Sequence, residues 1–326
     1  MPRADRGRIS VARAVAACAL LALASVAAEP AALAAGRDRS ADKSCKLPSS
    51  PPTVADVAYR ILPKVTLRLD VYEPAGRGSH PALVIVHGGG WKSGCKSDVS
   101  SEAARAARVG FVVFAIDYRL ACDPADPRGI DPSLCGYTGR APVADVLAAV
   151  SWVRANGRSY AAIPTRIAAL GFSSGGNLVY MAGATGVAGG SAPDAEAGWS
   201  GSTELGFLRS GAVTCSRSED PPACTATRTT HIGCELATCP ASWADDSAYA
   251  VEAGGTPAFV ANSTDELIPY AEATDFAGEL SALGVPHRLC TVAGSVHATG
   301  YEDLSCQGSS SSVFDATMTF LLRHLS

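Results

Sequence analysis

An α/β fold, with a mostly parallel sheet covered by helices on both faces, is the architecture this sequence predicts, and three observations lead to it. Residues 82–86 (Ala-Leu-Val-Ile-Val) and 111–116 (Phe-Val-Val-Phe-Ala-Ile) are near-continuous apolar runs of the kind that strands buried on both sides require. After two strand candidates close together near the start, strand and helix candidates alternate, as in a sheet built from crossover units. With 326 residues the chain is long enough to enclose one full core.

The elements follow in order. Arg3, Arg6, Arg8 and Arg13 precede an apolar stretch over residues 15–28 and the small residues Ala32-Leu33-Ala34-Ala35. That pattern predicts a secretory signal peptide over residues 1–35, since the stretch is too short for a membrane span. Cys18 precedes the apolar core where a lipidation site would follow it, so lipid attachment is the minor reading. Residues 36–52, rich in Ser, Pro and charge, read as a flexible lead-in, and the folded domain is expected over residues 53–326. Strands are expected at 54–59, 65–72, 82–87, 111–117, 167–170, 208–213, 257–262 and 288–292. Helices are expected at 98–109, stopped by Gly110, at 143–154, ended by Asn156-Gly157, at 270–283, closed by Gly284, and at 313–325. Residues 184–255 fit the alternation worst. Apart from the strand at 208 they are Gly/Ser/Asp-rich and hold four cysteines, which predicts a disulfide-stapled, lid-like insertion.

Composition narrows the class of function. The formal net charge is −4, and removing residues 1–35 leaves a more acidic chain with no basic cluster, so nucleic acid is not an expected partner. Setting Cys18 aside leaves ten cysteines in a chain expected to be exported, which favours disulfides over thiol or metal chemistry. Proximity in sequence suggests the pairs Cys45–Cys95, Cys122–Cys135, Cys215–Cys224, Cys234–Cys239 and Cys290–Cys306. The spacings of Cys215, Cys224, Cys234 and Cys239 lack the paired knuckles of a zinc site, so no metal is expected.

The most informative segment is Gly171-Phe172-Ser173-Ser174-Gly175. It lies between a short apolar run at 165–170 and a small, apolar, Pro-free stretch from Asn177. Strand, tight turn and helix in that order are what a nucleophile elbow needs, with glycines admitting the turn and the serine hydroxyl standing clear of the sheet. Such an elbow by itself arises readily by chance, so the partners matter. A serine hydroxyl needs a base to take its proton and an acid to orient that base. Asp265 follows the strand candidate at 257–262, and His297 follows the one at 288–292, giving the chain order Ser, Asp, His. His287 stands at the start of its strand, on the wrong edge of the sheet, and Glu266 is expected to point away from the site. Asp265 has a structural alternative as a helix N-cap. His87-Gly88-Gly89-Gly90-Trp91 directly follows a buried strand, and the N–H groups of Gly89, Gly90 and Ser174 are expected to form an oxyanion hole. His87 reads as a brace for that loop, and Trp91 as either pocket lining or packing.

His87 to Trp91, Asp117-Tyr118-Arg119-Leu120, Gly171 to Gly175, Asp265 and His297, in this order, resemble the α/β-hydrolase superfamily. The match is with its hormone-sensitive-lipase-like and feruloyl/acetylxylan-esterase-like carboxylesterases, over about residues 54–325. Leu69-Asp70-Val71-Tyr72-Glu73-Pro74 resembles the opening of these enzymes. The resemblance implies a Ser173 nucleophile, a His297 base, an Asp265 acid, the oxyanion hole above, and neither metal nor organic cofactor. It implies an ester substrate, small or polymer-linked. The polar character of 184–255 favours short acyl or aryl esters over long-chain lipids. Two alternatives stay open: an arylformamidase-like amide hydrolase, and a non-enzymatic binding protein on the same scaffold.

Overall fold

The computed structural model describes residues 45, 47–248 and 255–326; the expected signal peptide and most of the expected lead-in lie outside the described residues. Eight strands form one sheet: β1 (Val54–Ile61), β2 (Thr66–Tyr72), β3 (His80–Val86), β4 (Val112–Ile116), β5 (Ala162–Phe172), β6 (Ala195–Trp199), β7 (Ala258–Ser263) and β8 (His287–Val292). Their order is β1-β2-β4-β3-β5-β6-β7-β8. The β1–β2 and β2–β4 pairs are antiparallel, and every pair from β4 to β8 is parallel. Helices α1 (Ser100–Arg108), α2 (Ala141–Asn156), α3 (Ser174–Thr185), α4 (Pro221–Ile232), α5 (Pro240–Asp245), α6 (Tyr270–Ala282) and α7 (Val313–His324) complete the described elements apart from short 3₁₀ turns.

The alternation of side chains along each strand divides the core in two. Ala82, Val84 and Val86 of β3 pack with α2 and α3, whereas Leu83 and Ile85 pack with α1 and α7. Both faces are therefore covered, which explains why the central strands read as unbroken apolar runs. Where the chain leaves β4, Arg119 crosses to α2 and binds the buried Asp145 carboxylate through Nε, at 2.8 Å to Oδ2, and through Nη2, at 2.9 Å to Oδ1. Tyr118 donates its hydroxyl to the His87 carbonyl at 3.1 Å and stacks on the His87 ring. These contacts tie the end of β4 to the loop after β3.

The sixth strand is a correction. Residues 208–213 do not join the sheet: the Leu208 N–H donates to Ala212 O and the Gly211 N–H to Leu208 O, closing a turn with Gly211 at φ 80°. Only an isolated bridge joins Phe207 and Val213. The strand that fills the gap between β5 and β7 is Ala195–Trp199, inside the stretch expected to be insertion. The excursion from the sheet thus begins at Ser200, and it carries α4 and α5.

All five expected disulfides are present: Cys45–Cys95, Cys122–Cys135, Cys215–Cys224, Cys234–Cys239 and Cys290–Cys306. Among the described residues no helix is long and apolar enough to cross a membrane.

Candidate active site

Ser173 sits between β5 and α3 with φ 53° and ψ −121°, a conformation that costs a non-glycine residue roughly 1–3 kcal/mol. The neighbouring glycines are sterically required. A Cβ on Gly171 would lie 2.1 Å from the Gly175 carbonyl oxygen, and one on Gly175 would lie 2.3 Å from that of Val86. The Ser173 N–H donates to Trp199 O at 2.8 Å, so the end of β6 anchors the turn. Ser174 opens α3, where main-chain N–H groups lack intrahelical partners and the helix dipole favours negative charge.

The glycine loop after β3 faces this elbow. The Gly89 carbonyl accepts from the Lys92 and Ser93 N–H groups and from Ser93 Oγ, folding the loop into a turn. Gly89 at φ 124° and Gly90 at φ 61° occupy conformations that side chains disfavour. Trp91 is buried, donates Nε1–H to Asn177 Oδ1 at 3.3 Å, and stacks on His231 of α4 with centroids 4.4 Å apart. Burial pushes the His231 imidazole down to about 3, so it is neutral in this stack. Trp91 thus lines the cavity and packs at once, joining the glycine loop to α3 and α4.

His297 lies in the loop between β8 and α7, bracketed by the Cys290–Cys306 bridge. Its Nδ1 contacts Glu266 Oε2, not Asp265. Glu266 is only 2% exposed, and its other oxygen accepts from Ser200 Oγ at 2.9 Å, the Ser263 N–H at 3.0 Å and the Tyr301 hydroxyl. Asp265 instead faces solvent, its carboxylate accepting from Thr264 Oγ1 at 3.1 Å. The expectation for this position is therefore off by one residue. The reason is the loop's own bonding: the Asp265 N–H donates to Gly294 O, and Asn262 Nδ2 donates to Ser263 O and Ile268 O. Those bonds curl the loop so that the side chain after Asp265 enters the core. Burial beside Glu266 pushes the Tyr301 phenol well up, which keeps it a donor to the carboxylate. The other candidate base, His287, bonds Val285 O and Ser281 Oγ at the far end of β8.

Ser173, Ser174, Gly89, Gly90, Trp91 and His297 line one cavity of about 600 Å³. Thr227 and Arg228 of α4, with Leu267 and Ile268 after β7, line the same cavity. Arg228 is buried, with Nη1 donating to the Glu204 and Leu205 carbonyls and Nη2 paired with Glu272 of α6. Among the described residues, no three His, Cys, Asp or Glu side chains converge as a metal site. What converges is a strained serine, an imidazole held at one nitrogen by a buried carboxylate, and glycine main chain around a single cavity.

Comparison with known proteins agrees with this architecture. The BD-FAE family model matches residues 69–280. The chain is similar to carboxylesterase NlhH of Mycobacterium tuberculosis, 36% identical over 124 residues, which are 37% of this chain and 34% of that protein. It is also similar to fumonisin B1 esterase of Sphingopyxis macrogoltabida, 30% identical over 117 residues, 35% of this chain and 22% of that one. The chain thus spans about a third or less of the length of these curated relatives. Among solved structures it is similar to esterase Est2 of Thermogutta terrifontis, with TM-score 0.60 and 21% identity over 85% of this chain and 94% of that one. A truncated carbohydrate esterase from gut microbiota gives TM-score 0.63 and 19% identity over 87% and 99%. At these identities the structures speak for the fold. With the family model matching well over half of its length, the chain belongs to the BD-FAE family and has the α/β-hydrolase fold.

Proposed function

We propose that this protein is an exported serine hydrolase that cleaves short acyl or aryl carboxylic esters through an acyl-enzyme, with Ser173, His297 and Glu266 as its triad. The observation that carries this reading is the buried Glu266 carboxylate paired with His297 on the wall of the cavity that the elbow serine also lines. In the first step His297 takes the Ser173 proton as Oγ attacks the ester carbonyl, and the Glu266 carboxylate stabilises the imidazolium. The N–H groups of Gly89, Gly90 and Ser174 receive the oxyanion, where one donor is worth roughly 10²–10³ in rate. His297 returns the proton to the leaving alkoxide, the ester C–O bond breaks, and the acyl group stays on Ser173. Water, deprotonated by His297, then attacks the acyl carbon, the bond from that carbon to Ser173 Oγ breaks, and His297 returns the proton to Oγ as the carboxylic acid leaves.

Export is supported by the sequence pattern of residues 1–35 and by five disulfides, which persist in oxidising compartments. Residues 53–326 are the proposed catalytic domain, with the segment from Ser200 covering the site. Hydrolysis of p-nitrophenyl esters from acetate to palmitate tests the reading. The oxidised protein is expected to favour the short esters, and Ser173→Ala is expected to lose activity by more than about 10⁴-fold. Folded protein inactive on every ester, or active without Ser173, contradicts it.

A further inference from the structure

We infer that Leu47 and Ser49, held beside the glycine loop by the Cys45–Cys95 disulfide, are a selectivity wall for the apolar portion of the substrate; this rests on the esterase reading above. Both residues line the 600 Å³ cavity together with Gly88, Ser97 and Val99. Three contacts hold the residues on either side of Leu47. Cys45 is bonded to Cys95, fifty residues on, just before a short 3₁₀ turn over Lys96–Val99. The Ser49 N–H donates to Ser100 Oγ at 3.0 Å, and the two hydroxyls lie 3.1 Å apart. Ser49 is thereby pinned to the start of α1.

Leu47 is 92% exposed although it lies on the cavity's lining. Most of its side chain is free to be covered, and an apolar group long enough to reach it from Ser173 would be the natural cover. On this inference a six-carbon chain on one side of the carbonyl gains from that contact and an acetyl ester does not, and burying part of a leucine on binding is worth about fivefold in affinity. The disulfide matters because it removes the freedom the segment would otherwise lose on binding, so that the wall is preorganised.

The experiment compares the wild type with Leu47→Asp and with Cys45→Ala/Cys95→Ala, by proton-release titration on ethyl acetate, ethyl hexanoate and hexyl acetate. Both variants are expected to raise KM about fivefold or more for at least one hexyl-length ester, with kcat and the ethyl acetate parameters within about twofold of wild type. The same drop is expected in equilibrium binding of that ester to Ser173→Ala protein carrying each change. Equal KM values on all three esters, or losses of the same size on ethyl acetate, overturn the inference. The binding arm involves no turnover, so it reports on the wall even where the hydrolytic reading fails.

Discussion

The cavity has two sides built on different principles. On the sheet side, residue type dictates geometry. Gly171 and Gly175 have no room for a Cβ, Ser173 takes up the strained turn, and the strand termini hold both. On the cap side, long-range partnership dictates geometry. Arg228 of α4 reaches four acceptors, among them the Glu272 carboxylate of α6, whose second oxygen accepts from the Thr203 and Glu204 N–H groups. Two disulfides, Cys215–Cys224 and Cys234–Cys239, staple this region. The sheet side fails when atoms collide, and the cap side fails when a buried charge loses its partner.

The largest effect expected from this contrast is on the cap. Arg228→Met leaves the Glu272 carboxyl buried without its cation and should cost about 3–5 kcal/mol of stability, read by thermal or denaturant unfolding. Burial already pushes that carboxyl up against the pull of Arg228, so the double variant Arg228→Met/Glu272→Gln should recover most of the loss. A double variant no better than the single one would show that the cap depends on shape and not on charge. On the sheet side, Gly175→Ala should cost about 1–3 kcal/mol by overpacking against Val86 and His87, and should reduce activity more than it reduces stability. Unchanged activity in a folded Gly175→Ala protein would remove the steric account of the elbow.

A smaller effect concerns pH. Burial pushes the Glu204 carboxyl of the cap up to about 7. The folded state therefore keeps a proton that the unfolded chain gives up near 4.5, so this group's contribution to stability falls as pH rises through that window and levels off above about 7. Glu204→Gln should then be more stable than wild type at pH 8, by about 1 kcal/mol or roughly 2–4 °C in Tm, with less difference at pH 5. The opposite ordering of the two pH values would reverse the assignment.

The same contrast governs what could be read from the sequence. The elbow, the glycine loop and the apolar strands were legible because short-range sterics and period-two burial leave direct marks on residue choice. Five disulfide pairs were legible because each except Cys45–Cys95 closes a short loop, of 5 to 16 residues. Strand β6 escaped because Glu196 and Gly198 interrupt its apolar pattern. Burial holds the Glu196 carboxyl far above its usual range, hence neutral, and Gly198 leaves room for the Tyr180 ring. Glu266 escaped because adjacent acids cannot be ranked by type. The available signal was its setting: Asp265 follows Thr264 just past the end of β7, whereas Glu266 precedes the apolar pair Leu267-Ile268.

The claim on which the site rests is that Glu266, and not Asp265, orients His297, and paired kinetics of Glu266→Gln and Asp265→Asn test it most directly. Glu266→Gln is expected to lower kcat by about 10³–10⁴ with KM little changed, while Asp265→Asn stays within about twofold of wild type. Wild-type rates in a folded Glu266→Gln protein, or a loss confined to Asp265→Asn, would contradict the account.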